Sequence, residues 1–515
     1  MTSNIGLYVG NPFANIPLKG STVGYVRSDL LEAYKQWYRL IYDVLHGSPA
    51  VKRNAKYYVP YPNQDHLSED PTVKANALAR YQSMIDRGQF FNTTARTASG
   101  FTGLVYNKEP DIELPERYVP HVENVDGTGI GIVEQSRSAL YNLLGYGRGA
   151  LRVDYGSNYT VADVREGRAV PTINYIHPFE LINWRTTLIR GKKTVSLVMI
   201  VETYEEDNDG YSPTLLSRLR EYRLVKTGDK HRLVVKLWYP DSQNPEVFYP
   251  VKDDGTPFDY IPVFPLGAVE NTFELQTPPL LDQAEVNIGH FINSVEYEDS
   301  TFMVGNPTYA AIGVNEDWVK DHLGGYIEIG AQRILPLPEN ADLVLRQPDP
   351  NTMAGAAMDR KEKQMVALGA KMLQDRSVAR TATEATGDET VDNSVLATLA
   401  RNVNKGYRLA YSACGDFSGV YLEEAQGFEI NTDYNSATMA PQLIHTLLAI
   451  YQDSLMTAEE FRWLLRRAGF AYMDDANFQE KLNGEMDKKV RDSTAANKQG
   501  SVQDRIPGDG PNAAG

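Results

Sequence analysis

The chain has 515 residues but a single cysteine, Cys414, so no internal disulfide can form and a reducing compartment is the simple expectation. Positive charge is in the minority: 51 Lys and Arg stand against 67 Asp and Glu, a formal net charge of -16. That balance disfavours broad contact with nucleic-acid phosphates or anionic lipid and argues against a sequence-specific DNA reader. Long apolar runs are missing too. The strongest, such as 195–201, last about seven residues, whereas a membrane-spanning helix needs about 20. The opening MTSNIGLYVG lacks the charged and apolar regions of a signal peptide. What is plentiful is apolar and aromatic content, 42% and 10%, enough to bury a large core and to exclude a mostly disordered protein. At roughly 150 residues per domain, the length suggests three or four domains.

Catalytic signatures are also absent. A nucleotide-driven motor needs a glycine loop whose amides cradle phosphate, and no GxxxxGK[ST] occurs. The nearest text, Gly191-Lys192-Lys193-Thr194, lacks the upstream glycine and reads as a solvated hairpin turn. Gly127, Gly129 and Gly131 have the wrong spacing for a dinucleotide loop and read as a loop leading into a helix. No two of the histidines have the HxxxH or HxH spacing that puts two imidazoles on one metal. His290 reads as a surface or subunit-contact residue, and Cys414, on an apolar stripe with no nearby histidine, as core. Glu205, Glu206, Asp207 and Asp209 follow a strand and read as a charged turn rather than a nuclease metal site. No GxSxG elbow is present. No catalytic, metal-binding or cofactor-binding residue is assigned, and the chain is expected not to be an enzyme.

Periodicity divides the chain into blocks. Residues 29–45 place Leu30, Tyr34, Trp37, Tyr38, Ile41 and Leu45 at helical spacing. An extended arm is expected over the Gly47 to Pro62 stretch, then helices at 72–107, broken near Gly88, and at 130–145. From 149 to 267 the period becomes two, which predicts strands at 149–155, 171–177, 195–204, 221–227, 232–239 and 260–267. A helix is expected over 278–303, opening on proline and turning Asp282, Glu285, Asn293 and Glu296 to water. A small β insert follows at 304–349, then a second helix at 352–374, so the two helices could lie antiparallel as a stalk. Residues 375–393 have almost no large apolar side chains and read as a mobile loop. A third long helix, 394–425, carries Val395, Leu399, Val403, Tyr407, Tyr411, Cys414 and Tyr421 along one face. The strand-like GFEINTDY, helices within 440–490 and a polar, disordered tail from about 491 complete the reading, whose fold class is α+β.

Helix, β insert, helix, polar loop and long helix after an α/β block: this succession resembles the portal proteins of tailed bacteriophages, in particular an otherwise uncharacterised domain family of podovirus-like portals. The resemblance covers about residues 30–435 and rests on Gly147 to Tyr155 (GRGALRVDY), Ile182 to Arg185 (INWR), Pro278 to Ser300, Ala367 to Ala370 (ALGA) and Thr381 to Ala385 (TATEA).

The resemblance implies a dodecameric ring at one capsid vertex that packages and ejects the genome and joins head to tail. Residues 1–277 would be an N-terminal arm and α/β wing, 278–303 and 350–374 the stem helices, and 304–349 the clip. The tunnel loop would be 375–393, the rest of the wing 394–439, the crown 440–490 and the tail 491–515. Arg376 and Arg380, with Asp282, Glu285 and Glu296, become DNA-channel candidates; Glu328 and Arg333 become clip contacts to motor or adaptor, with Ile327, Ile329, Leu335 and Leu337 packing between subunits. Implied partners are double-stranded DNA held without sequence preference, the terminase large subunit, major capsid protein, scaffolding protein, head-tail adaptor and ejection proteins, with assembly in the host cytoplasm and no membrane. The alternatives are another virion component, an adaptor or scaffold, or a soluble carboxylate-based hydrolase.

Overall fold

The computed structural model describes residues 26–155, 163, 169–189, 191–206, 214–228, 230–239, 244–306, 308–323, 340–346, 352–371, 394–424 and 426–432. The chain divides into two compact units, Met1–Thr432 and Asp433–Gly515; every described residue belongs to the first. The expected helices of 440–490 and the tail lie outside the described residues.

The first predicted helix forms as α1 (Ser28–Ala33) and α2 (Arg39–His46), joined by a π-helical turn at Tyr34–Tyr38. Leu30, Tyr38, Ile41 and Leu45 are buried as their spacing requires, while Tyr34 and Trp37 at the π turn are half-buried. The first part of the expected extended arm is instead helical, while 58–62 are irregular: α3 (Ser48–Arg53) starts at Gly47, whose φ of 77° turns the chain, and a 3-10 turn follows at Ala55–Tyr57. Pro49 sits in the first turn of α3, where its missing N–H costs nothing, so proline there starts a helix rather than preventing one. Two helices with a break at Gly88 were expected next, and α4 (Pro71–Arg87) and α5 (Thr93–Val105) form, capped by the side chains of Asp70 and Asn92. Helix α6 (Ile132–Tyr146) is entered through the 127–131 glycine loop, where Asn124 Oδ1 accepts the N–H groups of Gly127 at 2.8 Å and Gly129 at 2.9 Å. It ends at Gly147, whose φ is 70°.

Strand β1 (Asp111–Glu113) lies earlier, and β2 (Arg148–Tyr155), β3 (Pro171–Ile176), β4 (Leu181–Ile189), β5 (Lys192–Glu206), β6 (Thr214–Thr227), β7 (Lys230–Trp238), β8 (Glu246–Phe248) and β9 (Val263–Gly267) follow. They form two antiparallel sheets, β3-β2-β9 and the meander β4-β5-β6-β7-β8. Each predicted strand in this region exists. Strands β4 and β8 are not among the predicted ones: in β4 burial alternates only as far as Trp184 and four exposed residues follow, and β8 is three exposed residues. The β4–β5 hairpin turns at Gly191, with φ 77°, which is the solvated turn expected of that glycine and its lysines.

Helix α7 (Leu281–Gly305) begins after Pro278 and Pro279 rather than on them. The insert then holds strand β10 (Thr308–Ile312), a short helix α8 (Glu316–Leu323) and strand β11 (Asp342–Arg346), which pairs antiparallel with β10. Helix α9 (Thr352–Lys371) leads back, and α10 (Val395–Ser418) follows, with Ser394 Oγ capping Ala397 N at 3.1 Å. Helix α10 stops seven residues short of the expected 425, at Gly419 with φ 72°. Tyr421 therefore lies past the helix and is exposed, whereas Leu399, Val403, Tyr407, Tyr411 and Cys414 are buried on its inner face. Strand β12 (Gly427–Glu429) pairs with β1, tying residues 111–113 to the far end of the unit.

Helix α10 is the keel of the sheet region. A Cβ at Gly406 would lie 2.2 Å from Leu266 Cδ2 of β9, so the glycine permits the helix to lie directly on the sheet. Its buried phenols all find partners, as burial demands. Tyr407 Oη donates to Gln135 Oε1 of α6 at 2.8 Å. Tyr411 Oη meets His121 Nδ1 at 3.2 Å, and His121 Nε2 lies 2.8 Å from Pro171 O. Cys414 is fully buried and burial pushes its thiol pKa upward, so it is a core side chain and not a nucleophile at neutral pH.

Candidate functional site

The insert and the two helices that bracket it form the most distinctive feature. Helices α7 and α9 are antiparallel: Gly289 stands beside Lys361, His290 Nε2 is 3.3 Å from Glu362 Oε1, and Gly355 stands beside Tyr297. Ala354 and Met365 of α9 are buried.

A second face of α7 is fastened to the α4–α5 connection by polar groups that sequence reading overlooked. Gln283 Nε2 donates to Thr97 Oγ1 at 2.8 Å, and Asn287 Nδ2 to Phe91 O at 2.7 Å. Asn287 Oδ1 accepts from Thr94 Oγ1 at 3.0 Å and Thr94 N at 3.2 Å, and Ser294 Oγ from Gln89 N at 2.9 Å. Positions 283, 287 and 294 fall within about 40° on a helix of 3.6 residues per turn, a polar stripe inside an otherwise apolar face, which was the available signal. The glycine at the break is part of the same contact, since a Cβ at Gly88 would lie 2.4 Å from Val295 Cγ2. Farther along, Asp299 pairs with Arg80 at 2.9 Å and with Arg87, whose guanidinium lies 4.1 Å from the Phe302 ring centroid. His290, expected at the surface, is only 6% exposed. It is held between Glu362 and the ring of Phe91, and its Nδ1 has no hydrogen-bond partner among the described residues.

The remaining face of α7 is the acidic one. Asp282, Glu285 and Glu296 are exposed, as expected, and lie within about 60° of one another around the helix. Helix α7 carries five carboxylates and neither Lys nor Arg. Helix α9 carries Asp359 and Glu362 against Arg360, Lys361, Lys363 and Lys371, a net of two positive charges, so the pair holds three negative charges per chain. Partial burial and the neighbouring Arg360 lower the Lys361 pKa, against the attraction of Glu296. Arg376 and Arg380, and the insert residues Glu328, Arg333, Ile327, Ile329, Leu335 and Leu337, lie outside the described residues.

A different charge cluster joins the two sheets. Glu202 of β5 accepts from Arg152 of β2 and from Arg218 and Arg220 of β6, at 3.0 Å and 2.6 Å for the last two. Burial raises its pKa, but the attraction of Arg152, Arg220 and Arg218 outweighs that and brings it to about 2. Asp154, beside Arg220 at 3.4 Å, is shifted upward by burial despite Arg152 and Arg220. Each arginine in this cluster is paired with a carboxylate, and the cluster reads as a fastening of the sheet region, not as a binding site.

Among the described residues, no group of three His, Cys, Asp or Glu could hold a metal ion, and no helix is long and apolar enough to cross a membrane.

Residues 279–417 match a domain family of unknown function, DUF4055, a span that runs from the start of α7 to the end of α10. No curated protein matches the sequence. Among solved structures, a chain of the virion of a native gene transfer agent particle is similar at 12% identity and TM-score 0.37, over 74% of this chain and 92% of that one. Chains from the neck of an empty gene transfer agent particle computed with C6 symmetry (13%, 0.34, over 76% and 93%) and of a native one computed with C12 symmetry (13%, 0.36, over 74% and 92%) are similar as well. Likeness at these TM-scores fixes neither fold nor function.

Proposed function

We propose that this chain is a structural protein of a virion's head-to-tail region and, within that class, a portal: a ring at one capsid vertex through which DNA is packaged and ejected. The observation that carries the reading is the antiparallel pair α7 and α9 bracketing the antiparallel β10–β11 pair and leading on to α10, which packs on the β3-β2-β9 sheet. That is the stem, clip and wing succession which the sequence resemblance implies. In this reading residues to about 277 with 394–439 form the wing, 375–393 the tunnel loop and 440–490 the crown, and twelve copies surround the bore.

The three net negative charges of each helix pair repel phosphate and favour sliding over sticking. Asp282, Glu285 and Glu296 contribute to that field from the exposed face of α7. Arg376 and Arg380 touch the passing duplex transiently, without base readout. The ring performs no chemistry. With no phosphate-loop motif in the chain, the terminase large subunit supplies the energy, docking at the clip through Glu328 and Arg333 before the head-tail adaptor replaces it. Scaffolding protein, major capsid protein and ejection proteins are its other neighbours, met during assembly in the host cytoplasm. Native mass spectrometry and negative-stain imaging of the purified chain test the reading: an open ring of about twelve copies is the expected result, and a compact dimer or a particle closed at its centre overturns it.

A further inference from the structure

Helix α9 has an outward face that no described element covers and that differs in sign from the one on α7. Met353, Ala356, Arg360, Lys363 and Ala367 are all exposed, Met353 to 82%, and fall within about 80° around the helix. Two small residues flank the cations and admit a close neighbour. Among the described residues neither Arg360 nor Lys363 is in an ion pair, and neither are Asp282, Glu285 and Glu296 on α7. At its far end α9 also borders an apolar groove of about 430 Å³ shared with α5 and lined by Gly100, Phe101, Leu104, Met365 and the 70% exposed Val366. One chain thus presents an acidic helical face and, on the adjoining helix, a cationic one edged with apolar surface.

We propose that these two faces are complementary halves of a single contact: the Asp282/Glu285/Glu296 face of α7 in one copy packs on the Arg360/Lys363 face of α9 in the next. The occupant of each face is therefore a second copy of this chain. Because the two halves differ, the contact is head-to-tail, the kind that closes into a ring when the rotation allows. The inference rests on the ring reading and adds which surfaces make the ring.

Height along the helices supports the pairing. Rotation about an axis leaves every copy at the same level. Within a chain the Lys361 side chain reaches Gly289 and the Tyr297 ring reaches Gly355, which puts Glu285 within about a turn of the level of Val366 and Glu296 within about a turn of that of Gly355. Glu285 is then about three residues from Lys363 of the neighbour, roughly 4.5 Å of rise, and Glu296 about five residues from Arg360, roughly 7.5 Å. Both offsets are ones that long, flexible side chains span. Each pair alone is worth little at the surface, but repetition around a ring multiplies it. The three carboxylates then meet two cations of the neighbour, with Lys361 of their own chain beside Gly289 and attracted by Glu296.

Charge reversal of the full-length chain tests this. E285K/E296K and R360E/K363E each replace attraction by repulsion at every seam, and each is expected to lower the ring fraction about tenfold or more at matched concentration. Mixing the two variants in equal amounts restores rings, because alternating copies present opposite charges at every contact, and a misfolded variant could not be rescued this way. Rings that form normally from either variant overturn the seam while leaving the ring itself standing, and so does loss of rings without rescue on mixing. If the unaltered chain forms no ring, the function proposed above fails first, and the seam with it.

Discussion

The sheet region and the α7–α9 pair use similar materials in opposite ways. In the sheet region, charges face inward and are matched: Glu202 collects three arginines, and Tyr407, Tyr411 and His121 share buried hydrogen bonds with their neighbours. On the helix pair, Asp299 and Glu362 are paired but the exposed Asp282, Glu285, Arg360 and Lys363 are in no ion pair among the described residues, while a few buried amides and hydroxyls tie α7 to the 88–97 connection. Buried polar networks fix one arrangement and make its loss costly. Exposed, unpaired charges contribute little to folding and remain available to a partner. Within one copy, the buried fastenings of α10 and the sheets therefore contribute more to stability than the exposed charges of α7 and α9.

The contrast breaks most visibly if the core of the sheet region proves soft. Tyr407→Ala removes a fully buried ring and orphans Gln135 Oε1. It should cost about 3–5 kcal/mol in chemical denaturation. A cost below about 1 kcal/mol would show that α10 is not the keel.

Next in size is the charge cluster. Glu202→Gln leaves Arg152, Arg218 and Arg220 partly uncompensated and should cost about 3 kcal/mol. The pH dependence has a definite sign. The Glu202 pKa is depressed in the folded chain from 4.5 to about 2, so its contribution is present above pH 4.5 and disappears as pH falls from 4.5 toward 2. Acid titration of stability in the unaltered chain and in the glutamine variant should converge across that window. Parallel curves would locate the acid sensitivity elsewhere.

How much of this was legible in the sequence depended on the same division. Where one face is buried, periodicity reports it: the α10 stripe, the six strands and the amphipathic α7 follow directly from spacing. Where a local signal has two meanings, it misled. Proline and glycine near 47–49 mark a helix start as readily as an extended arm, and Gly419 ends α10 before Tyr421 despite the tyrosine's helical spacing. Polar residues on buried faces were the hardest. His290, Asn287 and Gln283 look solvent-seeking until the segment that satisfies them is brought in by tertiary structure. The exposed acidic face of α7 follows from spacing, whereas the exposed Arg360 and Lys363 face of α9 carries no such signal, because a helix face is known to be uncovered only once its neighbours are placed.

Asn287→Ala probes the boundary between the two regions. It deletes a donor to Phe91 O and an acceptor for Thr94, all in buried surroundings. A loss of about 1–3 kcal/mol is expected. Hydrogen exchange should rise across 88–97 more than in α10, because the amide secures the connection and not the keel. Equal acceleration in both would mean that the two regions unfold as one unit, with no energetic boundary between them.

The smallest effect is expected where the contrast is sharpest. Asp282→Asn alters an exposed carboxylate on the first turn of α7, with no ion pair among the described residues. Among the described residues its stabilising interaction is with the positive end of the helix dipole, so unfolding of the dissociated chain should shift by about 0.3–1 kcal/mol at low salt and by less at high salt. A salt-insensitive shift larger than about 1 kcal/mol would place this carboxylate in a buried contact already made within one copy. The acidic face would then belong to the fold, as the Glu202 cluster does, and would not be free to meet a neighbour.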